Sequence, residues 1–322
     1  MKVKIEELRL RLIAYLRKLD IKEEDASFLA DCYIDSEITG RESHGVWKLL
    51  WESQYFKEKL GEPKIEKEFK ATIFLNGNKQ IGDLAIRNAI FLSINKAREY
   101  GISLVSIYNI QRIGSLRPLV KLFSSANYIG LLMNSSEAVV SPAVGYKGIT
   151  GTNPLAAFIP GERPLVIDYA TSKKAMANTW LACKLRENLP EETFLDDKGS
   201  YTVLPESAKY VEVFGGRKGF ALSVLIEILT SGLTIGRSSV SKKSKYDLGY
   251  LILCINPYGF LMFDNLMKSV QDLRNSFSES KVNDFVAEKV YLPGDHAEEL
   301  SLQAKNKVFV SISSEVYEML FK

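Results

Sequence analysis

From Ala71 onward, short apolar runs alternate with stretches of helical periodicity, a pattern that calls for α/β layering. Ala71 to Leu75, Ile102 to Tyr108, Ile129 to Met133 and Leu165 to Tyr169 read as strands. Between them, Leu84 to Tyr100 offers Ala85, Ala89, Ile90, Leu92, Ile94 and Ala97 for packing. Leu116 to Asn127 reads as a second helix, and another is expected from Ala175. Further on, Phe220 to Leu233 is a long apolar helix and Tyr250 to Ile255 a fully apolar strand. Phe263 to Phe277 and Ser314 to Phe321 read as helices. Periodicity leaves the strand directions open.

The chain before Ala71 has a different grammar. Leu8, Leu10, Leu12, Ile13 and Leu16 form an apolar stripe that breaks near Asp20. A second helix covers Glu23 to Glu37, with Ala26, Phe28, Leu29 and Cys32 turned inward. The turn from Gly40 to Gly45 interrupts it, a third helix starts at Val46, and Gly61-Glu62-Pro63 closes the unit. These helices are too small to build a core alone and must dock elsewhere. Arg237 to Asp247, polar and basic through Lys242, Lys243 and Lys245, is expected to be a mobile surface loop.

The 42 basic residues are nearly balanced by 39 acidic ones, which argues against nucleic acid as a partner. No apolar run is long enough for a membrane span, and the charged N-terminus lacks a signal core. Cys32, Cys183 and Cys254 fit neither a disulfide framework nor a Cys-x-x-Cys metal site. Buried free thiols in a reducing compartment, hence a cytoplasmic protein, are expected.

The usual dinucleotide fingerprint, Gly-x-Gly-x-x-Gly between a strand and a helix, is missing from the sequence. So are a Walker loop, a Gly-x-Ser-x-Gly elbow and a His-Glu-x-x-His helix. Instead, short glycine-punctuated segments recur in a set order. They are Gly40-Arg41-Glu42-Ser43-His44-Gly45-Val46, Gly151-Thr152-Asn153-Pro154, Asp168-Tyr169-Ala170-Thr171-Ser172, Leu195-Asp196-Asp197-Lys198-Gly199, Gly215-Gly216-Arg217-Lys218-Gly219 and Leu292-Pro293-Gly294-Asp295. In this order the chain resembles the second malate/L-lactate dehydrogenase family, from about Lys4 to Phe321. That family also includes sulfolactate, ureidoglycolate and cyclic-imine oxidoreductases.

The resemblance implies a non-Rossmann nicotinamide-binding α/β domain over residues 71–220. It implies a second domain built from both chain ends, 1–70 packed with 221–322, and a homodimer with its active site near the interface. It also implies NAD or NADP as cofactor and a small-molecule carboxylate as substrate. Ser43 and His44 fall on the family's Ser-His-Gly turn, and Asp196 on an acidic position proposed to form a relay with them. A carboxylate can fix a histidine tautomer and raise its basicity. Ser136, Asp168, Tyr169, Ala170 and Lys218 match cofactor-contacting positions. A lysine among glycines suits a phosphate, although a simple strand-to-helix turn reads the same way. Thr171 and Ser172 serve equally well as the start of a helix.

Departures from the family fall on the chemistry itself. Asn109-Ile110-Gln111-Arg112-Ile113-Gly114 occupies the segment of the family's acid/base histidine, so Arg112, which stays protonated, stands in its place. Lys48 stands where the family has an arginine for the substrate carboxylate, keeping the charge without the bidentate fork. Thr39 replaces a usual arginine, and Val144 replaces one of a glycine pair. Three readings follow. Arg112 takes the carboxylate while His44 handles the proton; or the substrate needs no imidazole acid; or the chain binds a dinucleotide without catalysis. His296, beside Glu298 and Glu299, is expected at the solvated surface.

Overall fold

The structure is a computed structural model that describes residues 1–260, 263–278, 291–307 and 309–322. A short strand β1 (Lys2–Lys4) runs into α1 (Ile5–Arg17), where Leu8, Leu12 and Leu16, four apart, are fully buried. Leu10, expected in that stripe, is 60% exposed because it lies off that face. Next, α2 (Glu23–Ile38) opens on Glu23, Glu24 and Asp25, which favour the positive end of the helix dipole. A single 3-10 turn over Glu42–His44 leads into α3 (Val46–Glu52).

The hairpin of β2 (Lys64–Phe69) and β3 (Thr72–Asn76) precedes α4 (Gly82–Tyr100), and β4 (Ile102–Tyr108) follows. Gly101, at φ 79°, ends α4 in the left-handed conformation that glycine adopts without penalty. The expected helix from Leu116 to Asn127 is instead α5 (Leu116–Val120) continued by 3-10 turns over Lys121–Ala126. Ser125 there bonds back to the Leu122 carbonyl at 2.9 Å, a local alternative to α-helical pairing. Then come β5 (Ile129–Asn134), β6 (Val140–Ser141), β7 (Leu155–Ile159) and β8 (Leu165–Tyr169). The middle of the chain continues through α6 (Ala177–Leu185), β9 (Phe194–Leu195) and β10 (Tyr210–Glu212). It closes with α7 (Gly216–Gly232), β11 (Gly249–Ile255), α8 (Phe263–Ser278), α9 (Asp295–Lys307), β12 (Phe309–Ser311) and α10 (Ser314–Phe321).

The main sheet has the order β2-β3-β4-β11-β5-β7-β8. Strands β3 and β4 are parallel, with α4 between them in the chain, and every other pair is antiparallel. Strand β11 sits between β4 and β5, with Leu251 opposite Ser106 on one side and Met133 on the other. That placement corrects the domain boundary at residue 220. Tyr250, Leu251, Ile252 and Cys254 are buried because they fill the gap that segment 71–220 leaves in its own sheet. The extreme ends do meet: β1 pairs with β12, and Ile312, Val316 and Leu320 share a core with Val3, Leu8, Leu12 and Leu16.

Two further expectations change. The 237–247 segment contains a 3-10 turn at Ser239–Ser241, and Ser239 is buried. Its hydroxyl donates to Glu227 and its N–H to the same carboxylate, so the turn is tied down rather than free. Cys183 is exposed, unlike Cys32 and Cys254.

Candidate active site

One cleft, of about 640 Å³, opens where α3, the loop after β4 and the ends of β5 and β8 converge. Leu248 and Tyr250 line it, and the wall formed by the Glu42–His44 turn and α3 carries His44 and Lys48. Gly45 makes that wall possible: a Cβ there would meet Glu37 Oε2 at 1.9 Å. Glu37 accepts from the Val46 N–H at 2.7 Å, capping the start of α3, and burial pushes its carboxyl up to about 7. His44 Nδ1 lies 3.0 Å from Ser43 Oγ.

The electrostatics of His44 run against the sequence-based expectation of a group titrating near neutrality. Burial, then the charges of Lys48 and Arg41, bring its pKa down to about 3. His44 is therefore neutral at pH 7. Lys48, one turn along α3, is also lowered by burial, against the opposing pull of Glu52 and Asp83.

Arg112 reaches the same cleft from the loop after β4 and forms an ion pair with Glu137. Its backbone is set from below. A Cβ on Gly82 would meet the Gln111 oxygen at 2.3 Å and the Arg112 oxygen at 2.6 Å, so only glycine lets α4 approach. Asp83, pushed up to about 6 by burial, accepts from the Gly114 N–H at 3.1 Å and from the Tyr33 hydroxyl at 3.1 Å.

Of the expected cofactor residues, Ser136, Tyr169 and Ala170 line the cleft. Asp168 does too, and one oxygen of its carboxylate, Oδ2, is engaged by the protein. It pairs with Arg41 and accepts from Ser115 Oγ at 3.2 Å and the Arg117 N–H at 3.1 Å. Ser136 Oγ accepts from the Thr152 N–H at 3.0 Å. Thr171 is buried and donates to the Thr152 carbonyl, and Ser172 donates to the Lys174 carbonyl, so both hold the turn ahead of α6. Lys218 is exposed in the first turn of α7, which begins at Gly216 rather than Phe220, and it lies outside the cleft.

Asp196 is not brought to His44. Its Oδ1 accepts from the Lys198 and Ser200 N–H groups, both at 2.9 Å, closing the turn beyond β9, and it is absent from the cleft lining. A carboxylate this engaged locally is an Asx turn. His296 is exposed at the start of α9, against the Tyr291 ring. Sequence reasoning missed Arg41, the partner of Asp168, and Glu137, the partner of Arg112. The signal for both was local: each lies within two residues of one already singled out, Ser43 two ahead and Ser136 one behind.

With this geometry in place, the sequence matches the malate/L-lactate dehydrogenase family over residues 3–320. The chain belongs to that family. It is 28% identical to the malate/(S)-sulfolactate dehydrogenase of Methanothermus fervidus, over 98% of this chain and 95% of the relative. It is also 28% identical to the L-sulfolactate dehydrogenase of Methanothermobacter thermautotrophicus, over 95% and 91%. Among solved structures, the sulfolactate dehydrogenase of Methanocaldococcus jannaschii superposes with a TM-score of 0.85 at 26% identity, covering 99% of this chain and 95% of that one. A dehydrogenase from Sinorhizobium meliloti reaches 0.90 at 23% identity, a likeness of fold, covering 99% and 97%. Membership of the malate/L-lactate dehydrogenase family makes this chain an oxidoreductase. No described helix is long and apolar enough to cross a membrane.

Proposed function

We propose that the chain is a nicotinamide-dependent oxidoreductase that moves hydride to or from a small 2-hydroxy or 2-oxo acid, of the malate, lactate or sulfolactate kind. The observation that carries this reading is the meeting of His44, Lys48 and Arg112 with Ser136, Tyr169 and Ala170 in one cleft. The donor set fits NAD or NADP. Arg41, Lys48, Arg112 and Lys174 make the cleft cationic, while Leu248, Tyr250, Ile113 and Pro154 supply apolar surface for a flat ring. Ser136, Tyr169 and Ala170 would hold the nicotinamide end, and Lys218, at the N-terminus of α7, would meet a phosphate. When bound, the reduced cofactor supplies a hydride to the carbonyl carbon of a 2-oxo acid.

The chain's own residues then divide the remaining work. Arg112 offers a planar fork to the substrate carboxylate, exchanging it for Glu137. Lys48, whose pKa burial lowers, offers its Nζ as the proton donor to the carbonyl oxygen. His44 is a neutral hydrogen-bonding partner until a carboxylate enters. The anion offsets Lys48 and Arg41, the two cations that add to burial in holding its pKa down, and makes it more basic.

We also propose a homodimer. Leu225 and Ile228 of α7 are 54% and 61% exposed, and Leu233 and Ile235 extend the apolar strip. Light scattering at micromolar concentration is expected to report two copies. The activity test is absorbance of NADH and of NADPH with oxaloacetate, pyruvate and 3-sulfopyruvate. At least one pair should react, and Lys48→Met should lower kcat by about 100-fold, the scale of general acid catalysis. Failure of every pair defeats the reading.

A further inference from the structure

A second cavity, of about 210 Å³, lies beside the cleft, and Arg112 lines both. Its walls are three rings, those of Trp51, Tyr55 and Tyr246. Two buried acceptors line it as well. Glu52 and Gln111 are each 3% exposed, and Glu52 Oε1 and Gln111 Oε1 accept no hydrogen bond among the described residues. The Gln111 amide cannot be turned over, because its Nε2 already donates to the Tyr55 and Lys79 carbonyls, at 3.0 and 2.9 Å. Buried acceptors left without donors cost free energy that a ligand's N–H groups would recover.

Charge says which kind of donor. Arg112 is paired with Glu137, and Lys245 with Glu58 at 2.8 Å. Lys48 and Glu52, one turn apart on α3, remain to balance each other. A substrate carboxylate that displaces Glu137 from Arg112 adds one negative charge to this set, with Glu52 buried in the cavity wall. The rings accept cations: Lys245 Nζ already lies 3.4 Å from the Tyr55 centroid and 5.2 Å from that of Tyr246. At roughly 30 Å³ per water-sized group, the cavity has room for about seven such groups.

We propose that this cavity receives the tail of the substrate, and that the tail ends in a guanidinium, making the substrate a 2-oxo acid with a basic side chain. A planar guanidinium stacks on the rings and presents several N–H donors at once, enough for both orphaned oxygens. The inference rests on the oxidoreductase reading, which places the carboxylate of the same molecule in the adjoining cleft.

The test measures binding of 5-guanidino-2-oxopentanoate and of the neutral 2-oxohexanoate by calorimetry, with turnover of both followed alongside. The guanidino acid should bind at least tenfold more tightly to the unaltered protein. In Glu52→Gln that ratio should fall to within threefold; taking the ratio cancels any effect on Lys48. Trp51→Leu, at a position 39% exposed that should tolerate the change, should lower the ratio too. Turnover of 2-oxohexanoate with no preference for the guanidino acid overturns the inference and leaves the oxidoreductase reading standing. A tenfold binding preference lost in Glu52→Gln, without turnover of either compound, supports the cavity and overturns that reading instead.

Discussion

Replacing Arg41 with alanine leaves the Asp168 carboxylate inside the protein without its cation. The Asp168 side chain is 6% exposed and that of Arg41 33%. Breaking a buried pair by removing one partner costs about 3–5 kcal/mol. Two features reduce the cost here. Solvent reaches Arg41 and screens the pair, and Asp168 keeps its bonds from Ser115 and the Arg117 N–H. A loss of about 2 kcal/mol is expected, or about 4 °C in Tm at roughly 2 °C per kcal/mol for a chain of this size. The assay is thermal or urea unfolding in a double-mutant cycle with Asp168→Asn, with an expected coupling of about 1–2 kcal/mol. The pH dependence has a definite sign. Burial already raises the Asp168 pKa despite Arg41, and losing the arginine raises it further. A carboxyl with a raised folded pKa lends stability below its unfolded pKa and loses it as pH rises through the folded one. The deficit of Arg41→Ala should therefore widen with rising pH above the ordinary aspartate range. A coupling below about 0.3 kcal/mol, or a deficit that shrinks as pH rises, refutes the account of Asp168 as a residue held by the protein.

Gly82→Ala should displace the Arg112 loop, since its Cβ meets two carbonyls of that loop, and kcat/KM should fall about tenfold or more with little loss of secondary structure. An unchanged kcat/KM would mean that the loop does not set the position of Arg112. Val144 has φ 62°, a left-handed conformation that a β-branched residue resists, and it is 95% exposed. Val144→Gly should stabilise the fold by about 0.5–1 kcal/mol, net of the added freedom of the unfolded chain; a destabilised variant in urea unfolding counts against the strain. His44, read by NMR, should titrate near 3 in the free protein, so its contribution to stability is present above pH 6.5 and lost as pH falls through about 3. Oxamate, a carboxylate analogue of the substrate, should raise that pKa; a free-protein pKa near 6.5 would contradict the neutral assignment.

Much of the site was legible because its pieces are local. The Ser43-His44-Gly45 turn, the Asn109 to Gly114 loop and the Asp168 to Ala170 strand end each occupy a few consecutive residues, and all three reach the cleft. Roles were less legible than places. Asp168 reads in sequence as an available carboxylate, yet Arg41, 127 positions away, engages it. Asp196 reads as a partner for His44, but its nearest donors are the backbone N–H groups of its own turn. Hydrogen-bond partners at that separation leave no periodic trace in a single sequence.

For the long elements the sequence alone determined the type, because side-chain periodicity and glycine placement act within a few residues: α4 and β11 are where the pattern puts them. It also determined that the cations at positions 112 and 48 are an arginine and a lysine, since identity at a position needs no fold. Only the tertiary structure decided that β11 enters the middle of the sheet. An apolar strand pairs equally well with several neighbours until the whole core is packed, and here β4 and β5 leave the one gap that buries both its faces. The same holds for charge. His44 is a histidine in any context, but its neutrality comes from desolvation and from the field of Lys48 and Arg41, and those exist only once the cleft has closed around it.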